Sequence, residues 1–185
     1  EENGEGALKV LNDRKFEEIR PDGVFALHNL PGYPEGSVVL RNQTFAAASK
    51  GMISKLYGKT SHAAEPENGI SPALAMADIV RDLTSLPQSH PFEDFALVTV
   101  IHSRLGEVAF GTSPGYAEVM ATLRTHSNRD MERLTDKAVQ VIGQHCAAHH
   151  LKEKISWTEV FPATVNSREA MKKKKKVAGK LDIQT

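Results

Sequence analysis

Between Lys50 and Phe161 the hydrophobic period switches between that of a strand and that of a helix, and this switching constrains the fold most. From Lys50 to Tyr57, Met52, Ser54 and Leu56 alternate with Gly51, Ile53, Lys55 and Tyr57, as in a strand. Ile70, Leu74, Ala77, Val80 and Leu83 or Thr84 then fall at helical spacing behind the cap-competent Ser71-Pro72, with Pro87 and Pro91 predicted to end the helix. Phe95–Ile101 is β-branched and apolar enough for a buried strand. Tyr116–Arg124 alternates after a Ser113-Pro114-Gly115 turn, so the two read as a hairpin with a long loop. Ser127 and Asp130 open a second helix with the stripe Met131, Leu134, Ala138, Val141 and Ile142, and Lys154–Phe161 alternates again. The order is β-α-β-β-α-β. It predicts an α+β, ferredoxin-like unit: a four-stranded antiparallel sheet with two helices on one face.

That unit uses about 110 of the 185 residues, so further structure is expected at both ends. Charge narrows the function classes. With 23 basic against 23 acidic residues the chain lacks the footprint of a nucleic-acid binder, and the central strands lack the aromatic platform that a ferredoxin-like RNA reader needs. The exception is the run Lys172–Lys176, which reads as the solvated face of a terminal helix or a frayed tail, with contact to phosphate or acidic lipid as the alternative. Apolar runs are too short to span a bilayer, which predicts no membrane insertion. The single cysteine, Cys146, excludes an internal disulfide and falls on the second predicted helix as a buried or half-buried thiol. No initiating methionine or signal peptide is present. The reading is therefore an excised segment of a longer polypeptide whose targeting information would lie in the missing part; a cytoplasmic location is the expectation.

Chemistry-bearing residues sit in three places. Glu1-Glu2 precedes a glycine-rich entry to a helix with apolar Ala7, Leu8, Val10 and Leu11. Adjacent side chains in extended chain point opposite ways, so the pair reads either as solvated charge or as a metal ligand beside a proton acceptor. His28 ends the expected strand Val24–Leu27, ahead of Asn29-Leu30-Pro31-Gly32. It reads either as a structural histidine or as a ligand at a strand's carboxyl end. The polar turn Gly58–Ala64 is expected to present His62 outward. Ser37–Leu40 and Thr44–Ala48 read as two further short strands, and Ser167 as the cap of a last helix. Residues 1–47 and 164–185 are thus predicted to be two pieces of one domain, with 48–163 inserted between them.

These motifs, taken in order, resemble the M20 metallopeptidases, in particular the amidohydrolase branch that includes N-acyl-amino-acid amidohydrolases, hippurate hydrolases and auxin-conjugate hydrolases. The resemblance rests on Glu1-Glu2-x-Gly-x-Gly-Ala7, Pro21-Asp-x-Val-x-x-x-His28-Asn-x-Pro31, Gly58-Lys-x-x-His62-Ala-Ala64, Leu123-Arg-Thr125 and Pro162-Ala-Thr-Val-Asn166. It implies a ferredoxin-like lid and dimerisation domain inserted in a partial α/β zinc-peptidase-like catalytic domain. It further implies a divalent metal, zinc or manganese, which the fragment alone need not hold, a homodimer formed through the lid, and an N-acyl-amino acid or peptide substrate. By position, Glu1 matches the general base, Glu2 and His28 match metal ligands, and His62 matches the lid histidine that stabilises an oxyanion in the neighbouring subunit's site. Arg124 reads either as a bidentate clamp for the substrate carboxylate or as a strand-end arginine at the surface.

Two departures accompany the resemblance. Gly111, in the run Phe110-Gly111-Thr112-Ser113-Pro114, stands where the family usually carries a substrate-contacting asparagine. The family's upstream His-x-Cys-Gly-His-Asp segment and its downstream histidine ligand do not occur in these residues. The competing reading is a lid and dimerisation module with no catalytic role of its own.

Overall fold

The computed structural model describes residues 5–184, so Glu1 and Glu2 lie outside the described residues. The chain forms two compact units, one spanning Ala47–Pro162 and the other made of the residues up to Ala46 together with those from Ala163 onward. In chain order the elements are α1 (Glu5–Leu11), α2 (Arg14–Ile19), β1 (Gln43–Ala46), β2 (Ala48–Tyr57), β3 (Ser61–His62), α3 (Ala73–Ser89) and β4 (Ala96–Leu105). They continue with β5 (Thr112–Ser113), β6 (Tyr116–Thr125), α4 (Asn128–Ala148), β7 (Lys152–Phe161), β8 (Thr164–Asn166) and α5 (Arg168–Lys180).

The larger unit has the architecture that its alternating periods predict. A four-stranded sheet in the order β4-β6-β2-β7 is antiparallel throughout, and α3 and α4 pack on one of its faces. One parity of each central strand supplies the core: Met52 and Leu56 from β2, and Ala117, Val119, Ala121 and Leu123 from β6. Alpha4 answers with Met131, Leu134, Ala138, Ile142 and Cys146, nearly the stripe expected from the sequence, with Val141 half-buried. Leu134 is fully buried, and truncating such a leucine to alanine typically costs about 2–5 kcal/mol. The opposite parity, including Ile53, Met120 and Arg124, lines the face away from the helices.

Helix α3 is rotated from its expected phase. Its buried stripe is Ala75, Ile79, Leu83 and Leu86, while Leu74 is 69% exposed. The stripe through Leu74 meets Asp78, Arg81 and Asp82 one and two turns on, so only the neighbouring stripe is apolar along the whole helix. Pro87 does not stop the helix, which runs to Ser89, although it lacks the N–H that would donate to Leu83 O. Beta4 also differs from expectation. It lies at the sheet's edge, Val98 is its one fully buried residue, and Leu97, Ile101 and Leu105 are exposed.

At the start of α4, Ser127 Oγ accepts from Asp130 N at 3.0 Å. The buried Asp130 carboxylate does not reach back to the cap. It accepts from Glu93 N at 3.0 Å and from Arg133 Nη1 at 3.1 Å, while Arg133 Nη2 donates to Pro91 O at 2.9 Å. The capping signal thus ties the segment before β4 to α4, which keeps the buried charge paired.

In the smaller unit, β1 pairs antiparallel with β8, and Ser167 Oγ caps α5 by accepting from Ala170 N at 3.0 Å. The strands expected at Val24–Leu27 and Ser37–Leu40 do not form, and Val24 and Leu27 are 75% and 90% exposed. An isolated extended segment leaves its backbone groups to water unless a neighbour pairs with them, and among the described residues no strand lies beside these two. Alpha1 forms as expected, with Leu8, Val10 and Leu11 exposed. No described helix is long and apolar enough to cross a membrane.

Candidate functional site

His62 is mounted on a two-stranded ribbon that backbone bonds fix to the end of the main sheet. Beta3 pairs antiparallel with β5, so that His62 lies opposite Thr112, and Ala63 N donates to Gly111 O at 3.0 Å. Below the ribbon, Gly58 N donates to Gly115 O at 2.8 Å, and Lys59 and Ile70 exchange backbone hydrogen bonds of 2.9 and 2.8 Å. These approaches require glycine. A Cβ on Gly58 would sit 2.0 Å from Ile70 O, and one on Gly115 would sit 2.3 Å from Thr60 N.

The ring of His62 is exposed, and its Nδ1 lies 3.1 Å from Ala64 N. A backbone N–H only donates, so Nδ1 is the acceptor and the neutral ring carries its proton on Nε2. His62 therefore offers one N–H donor directed by its own turn. Gly111 lies beside it. This glycine has an ordinary φ and nothing within 4 Å of a built Cβ, so neither strain nor crowding demands glycine there. Phe110, next in sequence, is fully exposed at the corner of a turn closed by Thr112 N donating to Ala109 O at 3.2 Å.

Arg124 is exposed near the end of β6, paired with Ser49 and Leu97 on the helix-free face. Tyr116 begins the same strand, next to the glycine that seats the His62 ribbon. Eight residues of strand put about 25 Å between Tyr116 and Arg124. The structure thus brings His62 and Gly111 together and sets Arg124 apart. Tyr116 O–H donates to Glu118 Oε2 at 3.1 Å, and Lys55 Nζ lies 3.8 Å from the same carboxylate. Desolvation, and then the bond to Glu118, raise the Tyr116 pKa, so this phenol stays protonated as a donor.

In the smaller unit, His28 is exposed and Nδ1 lies 2.7 Å from Asn29 O. A carbonyl only accepts, so Nδ1 holds the proton and Nε2 keeps a free lone pair, the arrangement of a metal-ligating imidazole. Among the described residues, however, no three His, Cys, Asp or Glu side chains are grouped to hold a metal ion. His28 has the chemistry of a ligand, but the described part of the chain does not assemble a ligand set. Cys146 is buried on α4, its thiol pushed up to about 11 by burial, and is no nucleophile. The pairing of Gly111 with the His62 ribbon joins segments about fifty residues apart, and only the turn dipeptide Pro114-Gly115 hints at it in the sequence.

Residues 47–150, more than half of the chain, match the M20 peptidase dimerisation domain. The chain belongs to that family. The M20 dimerisation unit and its flanks are 26% identical over 166 residues to the N-acetyl-L-cysteine deacetylase of Bacillus subtilis, covering 90% of this chain and 39% of that protein. They are 29% identical over 185 residues to an IAA-amino acid hydrolase of Arabidopsis thaliana, covering 97% and 41%. The fold is shared with a Bacillus subtilis protein described as a dinuclear metal binding peptidase of the M20 family. That match has a TM-score of 0.71 at 20% identity and covers 97% of this chain and 44% of that one. The chain thus spans about two-fifths of the length of the curated relatives it matches.

Proposed function

We propose that the chain is the central part of a longer M20-type, metal-dependent amidohydrolase that cleaves N-acyl-amino acids or a related peptide-like amide. Residues 48–163 serve as its lid and dimerisation domain, and 1–47 with 164–185 as segments of its catalytic domain. The support is the family match together with the hydrolase relatives that align along nine-tenths or more of this chain. A divalent ion, zinc or manganese, would when bound lower the pKa of a water and polarise the amide carbonyl.

The residues divide the work as follows. Glu2 and His28 hold the ion, His28 through the Nε2 that its bond to Asn29 leaves free. Glu1 takes a proton from the attacking water and passes it to the leaving amine. His62 donates its Nε2–H to the oxygen that gains charge, and Arg124 holds the substrate carboxylate by a bidentate pair.

The observation that carries this reading is the placement of His62 and Arg124. Arg124 lies eight residues along β6 from the end at which the His62 ribbon is seated, which favours two copies each lending His62 to the other over one copy using both on one small substrate. The β4 edge suits such pairing, with exposed Leu97, Ile101 and Leu105, whereas β7 carries Lys152, Glu153 and Lys154 and a left-handed Glu159.

A second reading concerns the 185 residues by themselves: a dimerisation and lid module without activity, in keeping with a chain that spans about two-fifths of its relatives' length. The test is hydrolysis of an N-acyl-amino acid with zinc or manganese by this chain and by the longer protein. Turnover by the longer protein only is expected, with His62→Ala lowering kcat by roughly 100-fold. An unchanged rate in that variant would retire the oxyanion role, and no turnover by either would refute the amidohydrolase reading.

A further inference from the structure

The run of lysines finds no use in the hydrolytic reading, yet the fold sorts it. Met171 and Ala178 are buried and fix the rotation of α5. At 100° per residue, Arg168, Lys172 and Lys175 then share one flank of the helix, while Lys173 and Lys180 share another. That flank is one wall of a cleft of about 560 Å³, lined also by Asn42, Gln43, Asn166 and, at its base, Met171. All seven residues belong to the smaller unit.

Its lining is unusual for a chain whose net charge is zero. Three cations and three carboxamides line the cleft, and no carboxylate does. Glu169, the only acid of α5, is turned to another flank, where it lies 3.5 Å from Lys173 Nζ. Asn166 is oriented from within, since its Nδ2 donates to Arg41 O at 2.8 Å. Gln43, also in the lining, has a φ of 61°, a left-handed conformation that costs a non-glycine residue on the order of 1 kcal/mol or more.

We infer that this cleft binds a small phosphate-bearing anion with two or more phosphoryl groups, such as pyrophosphate or the diphosphate end of a nucleotide. The guanidinium of Arg168 offers a planar fork for one phosphoryl group, and Lys172 and Lys175, one turn apart, offer point charges to the next. The volume falls in the range of small-ligand sites and exceeds what a single phosphate fills. Like charges gathered on one flank repel one another, and an anion between them removes that repulsion. This inference is independent of the hydrolytic reading.

The test is calorimetric titration of pyrophosphate into the 185-residue chain at constant ionic strength, with chloride as the balancing anion. Saturable one-to-one binding is expected. It should weaken about tenfold in the double variant Lys172→Gln/Lys175→Gln, and stay within about twofold in Lys173→Gln/Lys180→Gln, which removes the same charge from another flank. Lysine side chains at the surface can be exchanged without loss of fold, which circular dichroism verifies. No saturable heat above the chloride background would overturn the inference. So would equal weakening in both double variants, since that would mean diffuse attraction to a basic helix rather than a site.

Discussion

Arg124 lies eight residues along strand β6 from Tyr116, the end at which the ribbon that carries His62 is seated. An acyl-amino acid is far shorter than the roughly 25 Å of strand between those two residues. If His62 and Arg124 both serve hydrolysis, this spacing favours their serving it in different clefts. The proposed sharing of the lid accounts for a histidine mounted on backbone bonds and close-approach glycines.

That mount gives the first prediction. Gly58→Ala drives a methyl group to 2.0 Å from Ile70 O, a backbone atom that cannot move without breaking the Lys59–Ile70 exchange. A loss of about 2–4 kcal/mol is expected, read as a lowered midpoint in chemical denaturation. An unchanged midpoint would mean that the turn adapts and that His62 is less rigidly held than the geometry implies.

Gly111 behaves in the opposite way. With an ordinary φ and open space around a built Cβ, Gly111→Asn is expected to leave stability within about 0.5 kcal/mol. In the longer protein it places an amide next to His62, and kcat/KM for N-acyl-amino acids should change by about tenfold or more. Equal kcat/KM in the two proteins would show that position 111 does not face the substrate.

Acid sensitivity should trace to the seam between α3 and α4. Asp82 Oδ2 lies 2.7 Å from His145 Nε2, and this bond first, then Arg81, lowers the Asp82 pKa below its ordinary value of 3.8. A carboxylate depressed in the folded state contributes stability that is present above the unfolded pKa and lost as pH falls through the folded one. Asp82→Asn should therefore destabilise the chain at neutral pH and flatten the loss of stability below about pH 4. The side chain is partly exposed, so solvent screening keeps the effect within about 1 kcal/mol. Denaturation midpoints across pH 2–7 for both proteins decide it.

The proposed interface can be challenged on β4. Ile101, 63% exposed at the bulge of this edge strand, should lose dimer formation when changed to lysine, because an edge charge blocks strand pairing. Light scattering that shows a dimer in Ile101→Lys would move the interface elsewhere.

The order of strands and helices was legible because period-two and period-3.6 patterns are local and the segments are long. The α4 stripe and the Ser127 cap could be read directly. The phase of α3 was harder, since two neighbouring stripes begin apolar and only the charges at Asp78, Arg81 and Asp82 tell them apart. The strand expected at Val24–Leu27 shows the limit of such patterns, because a strand also needs a neighbour that its own residues do not specify. His62 could be picked out from its turn, but its proton position and its pairing with the Gly111 segment depend on contacts made across the fold. Glu1 and Glu2 lie outside the described residues, so their roles rest on the resemblance.

The shared-lid account is tested most directly by mixing two inactive variants of the longer protein, His62→Ala and Arg124→Ala, under conditions that exchange subunits. Each hybrid dimer then holds one cleft with both side chains intact, and random exchange predicts recovery of about a quarter of the unmodified activity. A mixture no more active than its components, although exchange has occurred, would contradict it.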